Sequence, residues 1–254
     1  MDTEEQVTAT YEERRPPVHL ANYIECFWKF ETSARDSTHR VLPDGCTDLL
    51  LISPSESQPE LTVVGTMTSA RVFELPKGQI IGVRFRPGMS SSFVRVSGAE
   101  IVDQRLALED IWGARARRLA DRLVDTSFAS TRIALMEEQL TSQLSDQDAL
   151  SPTQRALLWA EQMRGCVSID ELAYHSGLSP RQLRRNCHEL TGLTPKQLCR
   201  ALRFRHAAAK ASSAERGQWS DLALDCGYYD QAHFINEFRE LSGLTPGEYY
   251  AAMA

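Results

Sequence analysis

Gly227-Tyr228-Tyr229-Asp230-Gln231-Ala232-His233-Phe234-Ile235-Asn236-Glu237-Phe238-Arg239, closed by Gly243-Leu244-Thr245-Pro246, reads as a tight turn feeding a short capped helix. An earlier stretch repeats it. Glu171-Leu172-Ala173-Tyr174-His175-Ser176-Gly177-Leu178-Ser179 leads into residues 181–190 and then Gly192-Leu193-Thr194-Pro195. Leu222 matches Leu172, Gly227 matches Gly177, Phe234 matches Leu183, Phe238 matches Cys187 and Pro246 matches Pro195. The offset grows by one residue in the Tyr228-Tyr229 turn. A helix-turn-helix repeated in this way is a device for reading two successive turns of one DNA groove.

Each unit carries its own stop and start signals. In the first, Leu172, Ala173 and Leu178 form the apolar face of a supporting helix, and Gly177 stands where a left-handed residue must turn the chain. Ser179 is placed as N-cap, Pro180 at the first helical position, and Gln182 completes a capping box. The next helix keeps Leu183, Cys187 and Leu190 inside and presents Arg181, Arg184, Arg185 and His188 outside. Arginine can donate two parallel hydrogen bonds to guanine O6 and N7, or add affinity through phosphate. In the second unit Asp230 takes the N-cap role, and the outward face is Gln231, Ala232, Ile235, Asn236 and Arg239. Gln231 and Asn236 suit adenine N6 and N7. The competing reading is that this helix touches only the DNA backbone or supports the first unit. Residues 195–211 are expected as one long helix, a spacer able to hold two recognition helices about one DNA turn, ~34 Å, apart.

A net charge of −6 over 254 residues argues at first against nucleic acid, but the distribution reverses that. Residues 1–150 hold 16 Lys and Arg against 23 Asp and Glu, whereas residues 151–254 hold 12 against 11. Within 175–210, eight basic side chains (Arg181, Arg184, Arg185, Lys196, Arg200, Arg203, Arg205 and Lys210) meet one acid, Glu189. Such an excess attracts phosphate unless ion pairs consume it. Residues 211–254 hold two basic and seven acidic residues, which makes the second recognition face much the weaker electrostatically.

The first half has another period. Residues 1–15 are polar and acidic, expected as a tail, and lack the apolar segment of a signal peptide. Short apolar runs at 23–30, 48–52, 62–65, 71–75 and 79–85 are separated by Pro43-Asp44-Gly45, Ser53-Pro54, Pro76-Lys77-Gly78 and Arg86-Pro87-Gly88. They predict a small β-sandwich or barrel. Helical spacing takes over at 108–144 as a hairpin joined near 125–130, which either packs on the barrel or forms a subunit interface. The fold class expected is α+β: an N-terminal sensor or dimerisation domain at 1–144 (tail 1–15, β-rich 16–105, helical hairpin 106–144), a linker at 145–153, and an all-α DNA-binding domain at 154–254.

Arg84 and Arg86 flank Phe85; on a strand both would face one side, suited to an anionic effector or to an edge of a sheet. His19, His39, Asp44, Cys46 and Asp48 lack metal-ligand spacing and are read as structural. Cys46 lacks a visible activating neighbour and is read as a small core residue. Six scattered cysteines without a C-x-x-C pair indicate neither zinc nor disulfides, and reduced thiols in the cytoplasm are expected. No window approaches the ~18 apolar residues of a membrane span.

These residues carry a family likeness. The second-unit motif, Tyr249, and the first-unit Leu172-Ala173, Ser179, Leu183 and Gly192-Leu193-Thr194-Pro195 closely resemble the DNA-binding domain of AraC/XylS-type bacterial transcription regulators. The resemblance covers about 155–250 and implies seven helices with consecutive major-groove contacts. By motif position it implies DNA contacts at Arg181, Arg184 and Arg185, then at Gln231, Ala232, Ile235 and Asn236; many members have a basic residue where this chain has Asn236. Val41-Leu42-Pro43-Asp44-Gly45-Cys46-Thr47-Asp48-Leu49 and Gly82-Val83-Arg84-Phe85-Arg86-Pro87-Gly88 are similar to a sensor domain found ahead of such units, by analogy a cupin-like barrel. A related class with a zinc-bound cysteine cluster does not fit, because only Cys26 and Cys46 precede residue 160. The expected partners are double-stranded promoter DNA, RNA polymerase, a small-molecule effector and a second copy in a homodimer, with no cofactor, no membrane and no enzymatic activity. The alternative is a ligand-binding or enzymatic barrel in which DNA binding is secondary.

Overall fold

Eight strands organise the first half of the chain: β1 (Ala9–Arg14), β2 (Ile24–Thr32), β3 (Ser37–Val41), β4 (Thr47–Pro54), β5 (Glu60–Val64), β6 (Arg71–Leu75), β7 (Gly78–Phe85) and β8 (Arg105–Ala107). The computed structural model describes residues 9–33, 37–144, 149–211 and 219–251. Among the described residues six strands form an antiparallel sheet in the order β1-β2-β7-β4-β5-β8, and β3 pairs with β6 in a separate ribbon. The expected β-sandwich or barrel is observed as a six-stranded sheet faced by a two-stranded ribbon. The expected tail is corrected in part: residues 1–8 lie outside the described residues, but Ala9–Arg14 pair with Phe27–Thr32 of β2. Every side chain of β1 is exposed, so no alternation marked it as a strand.

Alternation divides the two faces of the large sheet. Phe27, Leu49, Leu51, Ile81, Val83 and Phe85 point into a core closed by helices. Those helices are α1 (Ser91–Val94), α2 (Gly98–Ile101), α3 (Leu108–Trp112), α4 (Ala114–Val124) and α5 (Ala129–Thr141). The hairpin packs on the sheet, with Leu119, Leu123, Ile133, Met136 and Leu140 buried in this core. Arg132 ties the hairpin turn to the sheet, donating to Leu123 O, Thr126 O, Ser53 Oγ and Gln79 Oε1.

The second half is helical: α6 (Pro152–Gln162), α7 (Ile169–Ser176), α8 (Pro180–Thr191), α9 (Pro195–Ala211), α10 (Trp219–Asp225), α11 (Gln231–Ser242) and α12 (Pro246–Ala251). One apolar cluster joins α6, α7, α8 and the start of α9. Another joins the end of α9 to α10 and α11 through Phe204, Tyr228, Phe234 and Phe238. Helix α9 belongs to both clusters, which makes it the beam between the two units.

Candidate nucleic-acid interface

The punctuation read from the sequence is present in three dimensions. Gly177 closes α7 at φ 68°, and the Ser179 side chain accepts from Gln182 N while Gln182 Oε1 accepts from Ser179 N at 3.0 Å. This reciprocal cap fixes where α8 begins and therefore which side chains lie on its first two turns. At α11 the Asp230 carboxylate accepts from His233 N at 2.7 Å and does the same work.

Arg181, Arg184, Arg185 and His188 are all exposed on α8, and Leu183 and Cys187 are buried beneath them. Among the described residues none of the three arginines has an acidic partner within ion-pair distance. On α11, Ala232 and Asn236 are exposed, whereas Gln231 and Ile235 are half-buried. Gln231 Oε1 accepts from Ser220 Oγ at 2.7 Å, and Ile235 leans on the aromatic cluster.

The basic excess of 175–210 divides into two populations. Arg200 and Arg203 turn onto Glu237 of α11 at 2.9 and 3.2 Å. Arg205 pairs with Glu25 at 2.9 Å and with Glu161 at 3.2 Å, and Lys210 with Asp225 at 3.5 Å. The expectation that the whole span faces phosphate is thus corrected. A window count missed this because the acids lie on β2, α6, α10 and α11, remote in sequence.

Helix C-termini leave carbonyls without intrahelical donors, and the N-terminal half supplies donors to both α8 and α11. Ser97 Oγ donates to Glu189 O of α8 at 3.1 Å. Arg40 donates to Ser242 O at 3.0 Å, and Ala70 N to Leu241 O at 2.8 Å, both at the end of α11. Between these points Arg86 pairs with Glu161 at 2.8 Å, beside the Arg205–Glu25 contact. Glu25 sits where the β2–β7 register slips, between Ile24 and Cys26.

The two arginines proposed to face one effector therefore part. Arg84 lines a cavity between the sheet and the ribbon. Arg86 lies just beyond the end of β7 and is committed to Ala21 O and Glu161. Cys46 is buried, and desolvation, then Asp44, pushes its thiol well up, so it is not poised as a nucleophile.

Residues 172–252 match the family described as a helix-turn-helix domain, and residues 12–107 match one described as a domain of unknown function, DUF6597. Residues 172–252 are thus a helix-turn-helix domain. The chain is 28% identical over 134 residues to the HTH-type transcriptional activator RhaR of Escherichia coli O139:H28, covering 48% of this chain and 47% of that protein. It is 27% identical over 152 residues to RhaR of Shigella dysenteriae serotype 1, covering 54% of each. The chain spans about half the length of the curated relatives it matches. Among solved structures, the DNA-binding domain of AdpA in complex with a target DNA aligns at 24% identity and TM-score 0.38, over 41% of this chain and 93% of that one. ToxT of Vibrio cholerae O395 aligns at 9% identity and TM-score 0.46, over 98% and 99% of the two chains.

Proposed function

We propose that this chain, whose C-terminal half carries a helix-turn-helix domain, is a sequence-specific transcription regulator of AraC type that binds double-stranded promoter DNA. The observation that carries the reading is the exposed set Arg181, Arg184 and Arg185 on a doubly capped α8, unpaired among the described residues. In this reading the arginines and His188 meet guanine edges and phosphate, and Gln231, Ala232, Ile235 and Asn236 make a weaker second contact. The division is 1–144, 145–153 and 154–254, with the first domain holding a small-molecule effector and the second holding DNA. The regulator works in the cytoplasm as a homodimer that contacts RNA polymerase and catalyses no reaction. Control follows if the effector has unequal affinity for DNA-competent and incompetent arrangements.

A mobility-shift and footprint experiment against the DNA upstream of the chain's own reading frame tests this. Protection of two adjacent turns on one face of the duplex is expected. Unchanged mobility at low salt, with and without candidate ligands, would sink the reading.

A further inference from the structure

We infer that the cavity between the six-stranded sheet and the β3–β6 ribbon binds a hydrophobic molecule carrying a basic nitrogen, with that nitrogen seated against Asp48. The site rests on the regulatory reading only in calling its ligand the effector.

The cavity holds about 530 Å³, inside the ~300–1,000 Å³ span of small-molecule sites. Its floor is the sheet face opposite the helices, with Trp28, Phe30, Leu50 and Ile52; Phe73 and Leu75 of the ribbon close it from above. These walls suit an apolar body, and the aromatic rings suit a cation near their faces. Gly82 shapes the floor, because a Cβ there would overlap the Trp28 indole, which crosses that position. The indole is held at the polar end, where Trp28 Nε1 donates to Asp48 Oδ1 at 3.1 Å.

Charge decides the head group. At the polar end Asp44 and Asp48 each lie 3.5 Å from Arg84 Nε, and among the described residues that buried nitrogen makes no hydrogen bond. The charged lining sets Asp48, Glu60 and Glu74 against Arg84 and Arg105, a negative balance, while Asp44 behind Arg84 also feels Arg205. Burial opposes the Arg84 charge, but Asp48 and Asp44 outweigh it and raise its pKa. An anionic head would meet a guanidinium already neutralised and two carboxylates behind it. At the rim, Glu60 and Arg105 pair with each other. Burial lowers the pKa of His39 and favours its neutral form. The groups facing Asp48 are Arg84 from β7, Asp44 from the preceding turn, and Trp28, Cys26 and Glu25 from β2. Desolvation pushes Asp48 up to about 6 against the pull of Arg84. A bound cation would relieve that cost.

The test is calorimetric titration of the full chain with matched probes: 4-phenylbenzylamine, 4-phenylbenzyl alcohol and 4-phenylbenzoate. The amine is expected to bind at least tenfold more tightly than the carboxylate. Its affinity should fall about tenfold from pH 7 to pH 5 as Asp48 takes up a proton. Asp48→Asn should weaken the amine about tenfold and leave the alcohol unchanged. If that variant fails to fold, the probe ranking and pH dependence of the natural chain decide alone. A carboxylate that binds as tightly as the amine, an affinity flat across pH, or no binding by the amine would overturn the inference. Mobility shifts on the same samples separate the two readings. Retarded DNA without amine binding removes the site and leaves the regulator; amine binding without retarded DNA does the reverse.

Discussion

In the first helix-turn-helix unit, α8 sends Arg181, Arg184 and Arg185 outward over an apolar layer of Leu183 and Cys187. In the second, α11 turns Glu237 inward onto Arg200 and Arg203 of α9 and packs Phe234 and Phe238 into an aromatic cluster with Tyr228, Tyr249 and Tyr250. The caps and turns are alike, so the backbone plan is shared. What differs is the destination of charge. The first unit leaves its cations available to a polyanion, whereas the second has its carboxylate holding it to the beam. One copy of the motif leaves its cations exposed, and the other spends its carboxylate on cohesion.

The strongest way to break this comparison is to remove the internal carboxylate. Glu237 is 5% exposed and bonds two arginines. Truncating one partner of a buried ion pair costs about 3–5 kcal/mol. Glu237→Ala is therefore expected to lower unfolding free energy by about 3 kcal/mol in urea titrations. A loss under about 1 kcal/mol, the range of surface pairs, would mean the pair contributes little cohesion.

Next in size is the loss of DNA affinity from α8. Arg184→Ala and Arg185→Ala should each cost about 1–3 kcal/mol of binding, measured by fluorescence anisotropy, with no change in melting temperature. An arginine on phosphate should also flatten the salt dependence by about one counterion, and one on a base edge should relax sequence preference instead. Destabilised variants would mean that these arginines serve the fold.

Smaller still is the docking of the second unit. Arg40 lies on β3 between His39 and Val41, which line the cavity, and donates to Ser242 O at the end of α11. The ribbon thus touches the proposed ligand with one face and the second unit with the other. Arg40→Ala should leave probe affinity unchanged. It should remove about 1 kcal/mol of the mutual influence between cavity probe and DNA, measured by titrating each in the presence of the other. Undiminished coupling would exclude the ribbon as the link.

The sequence made the units legible because caps and turns are local. Ser179, Gln182 and Asp230 each act within three residues, so spacing alone places them. The α9 spacer likewise runs over residues 195–211, the span its periodicity indicates. The ion pairs were not legible, because Arg205 and Glu25 are 180 residues apart. Nor was the parting of Arg84 from Arg86, since strand alternation ends with β7 at Phe85. The cavity was hidden for the same reason: Trp28, Asp48, Phe73 and Arg84 come from four strands brought together only by the pairing order.

The finest test concerns the neutral face of α11. Asn236 is exposed, and Gln231 already shares its carbonyl oxygen with Ser220. If the second unit mainly supports the first, Asn236→Ala should change DNA affinity by a few tenths of a kcal/mol, the scale of an ordinary surface substitution. If Asn236 reads adenine through paired bonds to N6 and N7, the loss should reach about 1–3 kcal/mol and vanish on DNA altered at that base pair. Asn236→Arg sharpens the choice, because it places a basic residue on the exposed face of α11. An added phosphate contact should raise affinity and steepen the salt slope by about one unit, but only if α11 already lies against the duplex. No gain would mean that α11 stands off the DNA and that α8 recognises it alone.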